Sequence, residues 1–190
     1  MLESELKFIE EAQQGDTSAF GRLYDHYLPK IYRFIFLKVS NRSEAEDLSH
    51  EVFLSAWQNI GSYAPMGYSF SSWIYQIARN RVIDFYRTKK QHLNIDDLED
   101  YFFKVPAQQA TELITKTALE EVRRLITELS PDQQDVLIMR FVEDMEHKEI
   151  AAALDKSEGA VRILQHRAIQ QLKKLINKKH GSSDSSFATI

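Results

Sequence analysis

Cysteine is absent from this chain of 190 residues. Its absence removes disulfide scaffolds, thiolate metal sites, iron–sulfur clusters and cysteine nucleophiles, and it suits a reducing compartment. Four prolines and six glycines are few, which disfavours a turn-rich all-β fold. No apolar run approaches the roughly 20 residues needed to cross a membrane. The richest, Ile31-Tyr32-Arg33-Phe34-Ile35-Phe36-Leu37, is broken by Arg33 and followed by Lys38. Residues 1–16 hold no basic leader followed by an apolar stretch, so they do not read as a signal peptide. No membrane insertion and a cytoplasmic location are expected. Positive charge is short as well: 24 Lys and Arg face 28 Asp and Glu, a net charge of −4. That excludes a protein that grips nucleic acid by bulk charge alone.

What is present is an ordinary globular balance, 43% hydrophobic and 27% charged, enough for one or two small cores. Periodicity predicts helices over Ser4–Gln13, Thr17–Lys38, Ser43–Asn59 and Ser71–Lys90. Thr17 and Ser43 are expected as N-caps, with Pro29 a point for a kink. Residues 91–114 are acidic, contain Pro106 and keep no period; they read as a flexible linker. Residues 115–178 are helical again, cut by turns near Ser130, Asp144 and Asp155. The small polar residues 179–190 read as a disordered tail. The expected fold is all-α: two small helical domains, 1–90 and 115–178, on an acidic link.

The sharpest signal lies between Met145 and Asn177. A short helix, His147–Leu154, precedes a tight turn at Asp155-Lys156-Ser157, and Ser157 can cap a helix from Glu158. In that helix Val161, Leu164, Ala168, Leu172 and Leu175 form one apolar stripe. The pattern is a helix-turn-helix, whose second helix enters a major groove. Opposite the stripe stand Arg162, His166, Gln170, Lys173 and Lys174, with Arg167 at its edge. From Ser157 to His180 only Glu158 is acidic. A solvated basic helix in a plain bundle would look the same. Upstream, Ser130-Pro131-Asp132-Gln133 has the form of a capping box with proline at the first helical position. The helix it starts is expected to run through Val142 and buttress the pair.

Two further faces carry chemistry. Along Ser71–Lys90, Trp73, Ile74, Ile77, Ala78 and Phe85 share one side, and Ser72, Gln76, Arg79, Asn80, Ile83 and Arg87 the other. Arg81 and Asp84 fall in the apolar side and are expected to pair. Cations and amides on the polar side suit phosphates and base edges. The preceding loop holds Tyr63, Tyr68 and Phe70, which can stack on unpaired bases or simply fill core. Along Ser43–Asn59, Ala45, Leu48, Val52 and Ala56 point one way, and Asp47, His50, Glu51, Leu54 and Gln58 the other. A leucine among carboxylates is poor for DNA and sensible for a protein partner, although one stray exposed leucine is common.

Asp47-Leu48-Ser49-His50-Glu51-Val52-Phe53-Leu54-Ser55-Ala56-Trp57, the run Phe70–Asp84, Leu129-Ser130-Pro131-Asp132-Gln133-Gln134 and Ser157-Glu158-Gly159-Ala160-Val161-Arg162 together resemble the extracytoplasmic-function sigma factors of bacteria. The resemblance spans about Thr17 to Leu175. It implies a first domain that binds the clamp coiled coil of the RNA polymerase β′ subunit and melts the −10 promoter element. It implies a second that binds the β flap and reads the −35 element as duplex. The coiled-coil segment then falls on Asp47, Glu51, Phe53, Leu54 and Trp57, of which Phe53 and Trp57 lie near the apolar border. The melting loop falls on Gly61–Phe70, where Tyr63 and Tyr68 would hold a single-stranded non-template base flipped from the stack. The −10 helix falls on Ser71–Lys90, with Ser72, Gln76, Arg79, Asn80 and Arg87. The −35 helix falls on Ser157–Lys174, with Ser157, Arg162, His166, Arg167, Gln170, Lys173 and Lys174.

The resemblance also implies no catalytic residues, no cofactor and no metal, a nucleoid-associated location, and room for an anti-sigma factor or other accessory protein. Polymerase would supply most of the electrostatic grip, which accounts for the acidic pI. Two other readings stand beside it. A stand-alone helix-turn-helix regulator would share only Met145–Asn177. A di-metal carboxylate enzyme would use Asp47-x-x-His50 and Asp144-x-x-His147, but the second pair crosses a predicted turn.

This chain departs from the family where the −35 helix normally carries a small polar residue, an arginine and a leucine; here stand Ile163, Leu164 and Gln165. Asp144 and Asp155 occupy places where glycine is usual, Lys156 an apolar place, and Glu146 that of a serine cap. Ile163 can touch a thymine methyl but donates no hydrogen bond, and each lost bidentate contact forfeits about 1–3 kcal/mol of discrimination. Readout at −35 is therefore expected to be weak, with recognition leaning on −10 or on an added protein. Promoter selection with purified holoenzyme should return an informative −10 motif beside a poor −35 motif. A strong −35 motif that depends on Arg162 and Arg167, and on no partner, would refute this.

Overall fold

The computed structural model describes residues 4–64, 69–92 and 124–183. Among them every regular element is helical, and no helix is long and apolar enough to cross a membrane. The chain divides into two compact units, Met1–Gln109 and Ala110–Ile190.

In the first unit α1 (Glu5–Gln13), α2 (Thr17–Val39), α3 (Arg42–Asn59) and α4 (Phe70–His92) pack together, with a 3₁₀ turn at Ile60–Ser62 after α3. Two N-caps lie upstream of those expected. Asp16, not Thr17, caps α2, its carboxylate accepting from the Ser18 and Ala19 amides at 2.8 and 3.2 Å. Asn41, not Ser43, caps α3 by accepting from the Glu44 amide at 3.1 Å. A carboxylate can accept from two orphan N–H groups at once, which a lone hydroxyl does less well. Gly15, at φ +92°, supplies the left-handed turn that brings α1 into Asp16. The single helix α2 runs through Pro29.

The core of this unit is the inner face of α2 set against α3 and α4. Leu23, Ile31, Phe34 and Ile35 of α2, Ala45, Val52 and Ala56 of α3, and Ile74 and Ala78 of α4 are fully buried. The alanines let the helices approach closely. At the far end Lys89 of α4 meets Glu44 of α3 at 2.6 Å, and the Tyr86 hydroxyl donates to the Lys38 carbonyl at 2.8 Å. Of the expected linker, only Gln91 and His92 fall within the described residues, as the last residues of α4.

In the second unit α5 (Pro131–Leu137) continues as a π-helical turn over Ile138–Val142, followed by α6 (His147–Leu154) and α7 (Glu158–Ser183). Gln133 reaches back to accept from the Ser130 amide at 3.0 Å, as the capping-box pattern implies. Val136, Ile138, Met139, Ile150, Val161 and Ala168 form the buried centre. Helix α7 continues past Lys178 to Ser183, so residues 179–183 are helical and not part of a disordered tail. Residues 184–190 lie outside the described set.

The turn between α6 and α7 is held by backbone. The Lys156 amide donates to the Ala151 carbonyl at 2.9 Å and the Asp155 amide to Ala152 at 3.3 Å, the Schellman pattern. Asp155 sits at φ +51° and Asp144 at φ +53°, left-handed conformations that cost a non-glycine residue about 1 kcal/mol. Asp155→Gly is therefore expected to stabilise this unit by about 0.5–1 kcal/mol, and Asp155→Val to destabilise it. Thermal unfolding of the full chain, following the transition of the second unit, checks both signs.

Candidate functional site

Three surfaces hold the residues singled out by the sequence. On α3 the outward face is as expected: Asp47, His50, Glu51, Leu54 and Gln58 are exposed, and Leu54 leaves 57% of its surface open to water. Phe53 does not belong to this face. It is 4% exposed and packs edge-on against Tyr24 with ring centres 4.7 Å apart. Trp57 is half-buried against Phe20 at 5.0 Å. Both aromatics brace α3 on α2 and hold the acid-and-leucine face outward. Phe53 is corrected from contact residue to core.

On α4, Asn80 and Arg87 are exposed and Gln76 and Arg79 half-buried. Ser72 departs from expectation: it is 2% exposed. Its amide donates to the Ser69 hydroxyl at 3.1 Å, and the two hydroxyls lie 3.0 Å apart. Ser72 is thus spent on starting the helix. The buried arc of α4 also includes Tyr75 and Val82, which the projection left out. Asp84 does not pair with Arg81; its partner is Arg87, at 3.0 Å, with the arginine largely and the aspartate half open to water. A surface pair of this kind contributes little stability.

The two described ends of the aromatic loop are built into the core. Tyr63 is 6% exposed, with its ring 5.6 Å from that of Phe70 and 5.1 Å from that of Trp73. Tyr63 therefore fills core, and its assignment as a base-stacking residue is corrected. Tyr68 lies outside the described residues. Phe70 also meets Tyr27 at 5.3 Å, and the Tyr27 hydroxyl donates to the buried Glu5 carboxylate. His26, beside Tyr27, is held below its ordinary value by burial and by the Lys30 ammonium 3.2 Å away. Gln13 closes the junction, its amide donating to the carbonyls of Ile60 at 3.0 Å and Tyr63 at 2.6 Å. Sequence reading missed Gln13 and Glu5, because no local pattern links them to acceptors so far along the chain.

The third surface is α7. Arg162, His166, Arg167, Gln170, Lys173 and Lys174 are all exposed, and Ile163 stands among them with 55% of its surface open. Ser157 caps the helix, its hydroxyl accepting from the Ala160 amide at 3.2 Å. Arg162 is steadied by Glu158 at 3.2 Å. Gln165 is drawn back by the His147 ring, whose Nε2 lies 2.6 Å from its amide oxygen. Val161 and Ala168 of the stripe are buried, whereas Leu164, Leu172 and Leu175 are half-buried. Among the described residues no three His, Asp or Glu side chains gather where a metal ion could be held. Asp47 and His50 lie in one unit, Asp144 and His147 in the other.

Comparison with known proteins bears on these surfaces together. Residues 23–92 match the model of Sigma-70 region 2, and residues 119–172 that of Sigma-70, region 4. The chain is 35% identical over 176 residues to the ECF RNA polymerase sigma factor BldN of Streptomyces coelicolor, covering 90% of this chain and 65% of that protein. It is 31% identical over 161 residues to the ECF RNA polymerase sigma factor RpoE of Cereibacter sphaeroides, covering 83% and 86%. Its fold is similar to that of the sigma factor RpoE in complex with the anti-sigma factor NepR from Bartonella quintana. The TM-score there is 0.69 at 22% identity, over 83% of this chain and 96% of that one.

Burial, aided by the nearby Glu5 carboxylate, pushes the Tyr63 phenol up to about 12. In the unfolded chain tyrosine ionises near 10. Stability from the neutral, buried phenol is therefore complete below about pH 10 and is lost as pH rises toward 12. Tyr63→Phe should keep the ring packing and flatten this alkaline loss in urea titrations at pH 9–12. An unchanged pH profile would show that Tyr63 is not buried as described.

Proposed function

This chain belongs to the extracytoplasmic-function RNA polymerase sigma factors, and from that premise we propose which of its surfaces carries each step of transcription initiation. As a member it is a non-enzymatic initiation factor that binds core RNA polymerase and directs it to promoter DNA. The match over residues 23–92 leaves the stand-alone helix-turn-helix regulator without support, since that reading accounts only for the C-terminal segment.

The α3 face of Asp47, Glu51 and Leu54 docks on the β′ clamp coiled coil, with Trp57 at its margin. Exposed Leu54 among carboxylates carries this reading: an apolar anchor ringed by charge has the anatomy of a protein interface. The outward side of α4, with Gln76, Arg79, Asn80 and Arg87, meets the −10 element as its strands part. The loop between Tyr63 and Phe70 lies beside it in sequence. The face of α7 made by Arg162, His166, Arg167, Gln170, Lys173 and Lys174 lies along −35 duplex, and the second unit docks on the β flap. An anti-sigma factor is a further partner, as NepR is for the Bartonella protein. The working location is the cytoplasm, at the nucleoid, where polymerase and promoter are.

A charge placed in a buried interface anchor costs roughly 2 kcal/mol or more. Leu54→Asp is therefore expected to weaken core-polymerase affinity by about 30-fold or more, while far-ultraviolet dichroism and thermal unfolding of the free protein stay as in wild type. Binding titrations with purified core polymerase check this. Undiminished affinity in a folded Leu54→Asp variant would remove α3 from the interface.

A further inference from the structure

The matched region 2 begins at residue 23, so α1 lies wholly before it, yet α1 reaches both described ends of the aromatic loop. At the first end the Gln13 amide donates to the carbonyls of Ile60 and Tyr63, 47 and 50 residues away along the chain. These are the first residue of the 3₁₀ turn and its C-cap. At the second end Glu5 accepts from the Tyr27 hydroxyl, and the Tyr27 ring packs on Phe70, the first residue of α4. Tyr63 and Phe70 in turn touch each other and Trp73. Glu5 and Gln13 are thus at the two ends of one short helix and hold the two ends of one loop.

We propose that α1 is a positioning element for promoter melting, with Gln13 as its key residue. The proposal rests on the reading of the segment after Tyr63 as the one that meets unpaired DNA. Capture of a base by a loop requires the loop's ends to be fixed before the base arrives, because a loose loop loses the entropy of its own ordering at that step. Tyr63 is immobilised on three sides: by its ring contacts, by its backbone bond to the Ile60 carbonyl at 3.0 Å, and by Gln13 on its own carbonyl. The ring contacts tie the turn to α4, and Gln13 ties it to α1. Its side chain is otherwise exposed, so its loss opens no cavity and leaves the core packing in place. Its effect should therefore fall on the loop and spare the fold.

The test compares wild type with Gln13→Ala, Gln13→Glu and Gln13→Lys in holoenzyme, on one promoter prepared as intact duplex and as a pre-melted bubble. Gln13→Glu keeps size and helical preference but sets an acceptor against two carbonyls; Gln13→Lys keeps a donor. Core-polymerase affinity should be unchanged in all three. On duplex DNA, open-complex formation should fall about fivefold or more for Gln13→Ala and further for Gln13→Glu. Gln13→Lys should recover much of the loss, and on bubble DNA all three should approach wild type. Variants that match wild type on duplex, or that lose equally on both templates, overturn the proposal. A simple loss of fold would lower polymerase affinity and bubble activity together. If wild type itself fails to initiate with core polymerase on either template, the sigma-factor reading of the surfaces falls, and this proposal with it.

Discussion

Helix α2 is the element on which the N-terminal unit is assembled, since α1, α3 and α4 all pack against it. Its buried Leu23, Ile31, Phe34 and Ile35 set a physical constraint on the rest. A helix with 3.6 residues per turn that buries one stripe has no freedom left over which residues face water. Burial of Ala45, Val52 and Ala56 against α2 therefore dictates that Asp47, Glu51 and Leu54 stand outside. The outer surface is a by-product of the inner one. Each outward face inherits its geometry from the apolar contacts beneath it.

This constraint also explains how a protein with net charge −4 can work on DNA. Charge is sorted by helix: carboxylates gather on the outside of α3, and cations on the outside of α7. Because the two faces belong to different units, the acidic face does not lie opposite the basic one along any single helix. Local sign, not the total, decides what each surface attracts. Ion pairs take a smaller part. Lys89 with Glu44 joins two helices, while Asp84 with Arg87 and Arg162 with Glu158 only order side chains along one helix.

The sequence was most legible where one strong period and one strong cap coincide. α6 was placed at His147–Leu154 without error, and the exposed side of α3 was read residue by residue. It was less legible on α4, where aromatic and β-branched residues occur nearly all round the helix. A helix packed on both α2 and α3 buries a wide arc, so Tyr75 and Val82 went inward where a single-face projection had no place for them. Caps moved upstream because the Asp16 and Asn41 side chains, one and two residues before the hydroxyls expected to cap, accept from the first turn. Ser72 and Tyr63 look like surface residues by type, and only tertiary packing turns them inward. Gln13 was invisible for a simpler reason: a hydrogen bond across 50 residues leaves no periodic trace.

The turn between α6 and α7 has a consequence for how this molecule can change over evolutionary time. The direction of α7 is fixed by main-chain bonds from Lys156 and Asp155, by the Ser157 cap, and by Val161 and Ala168 in the core. The residues that face outward take no part in that fixing. Mutations among them therefore alter the surface the helix presents without moving the helix. Stability and surface chemistry are thus stored at separate positions of one short segment. A lineage carrying this fold can vary this surface by substitution alone, while selection for folding acts on a different list of residues.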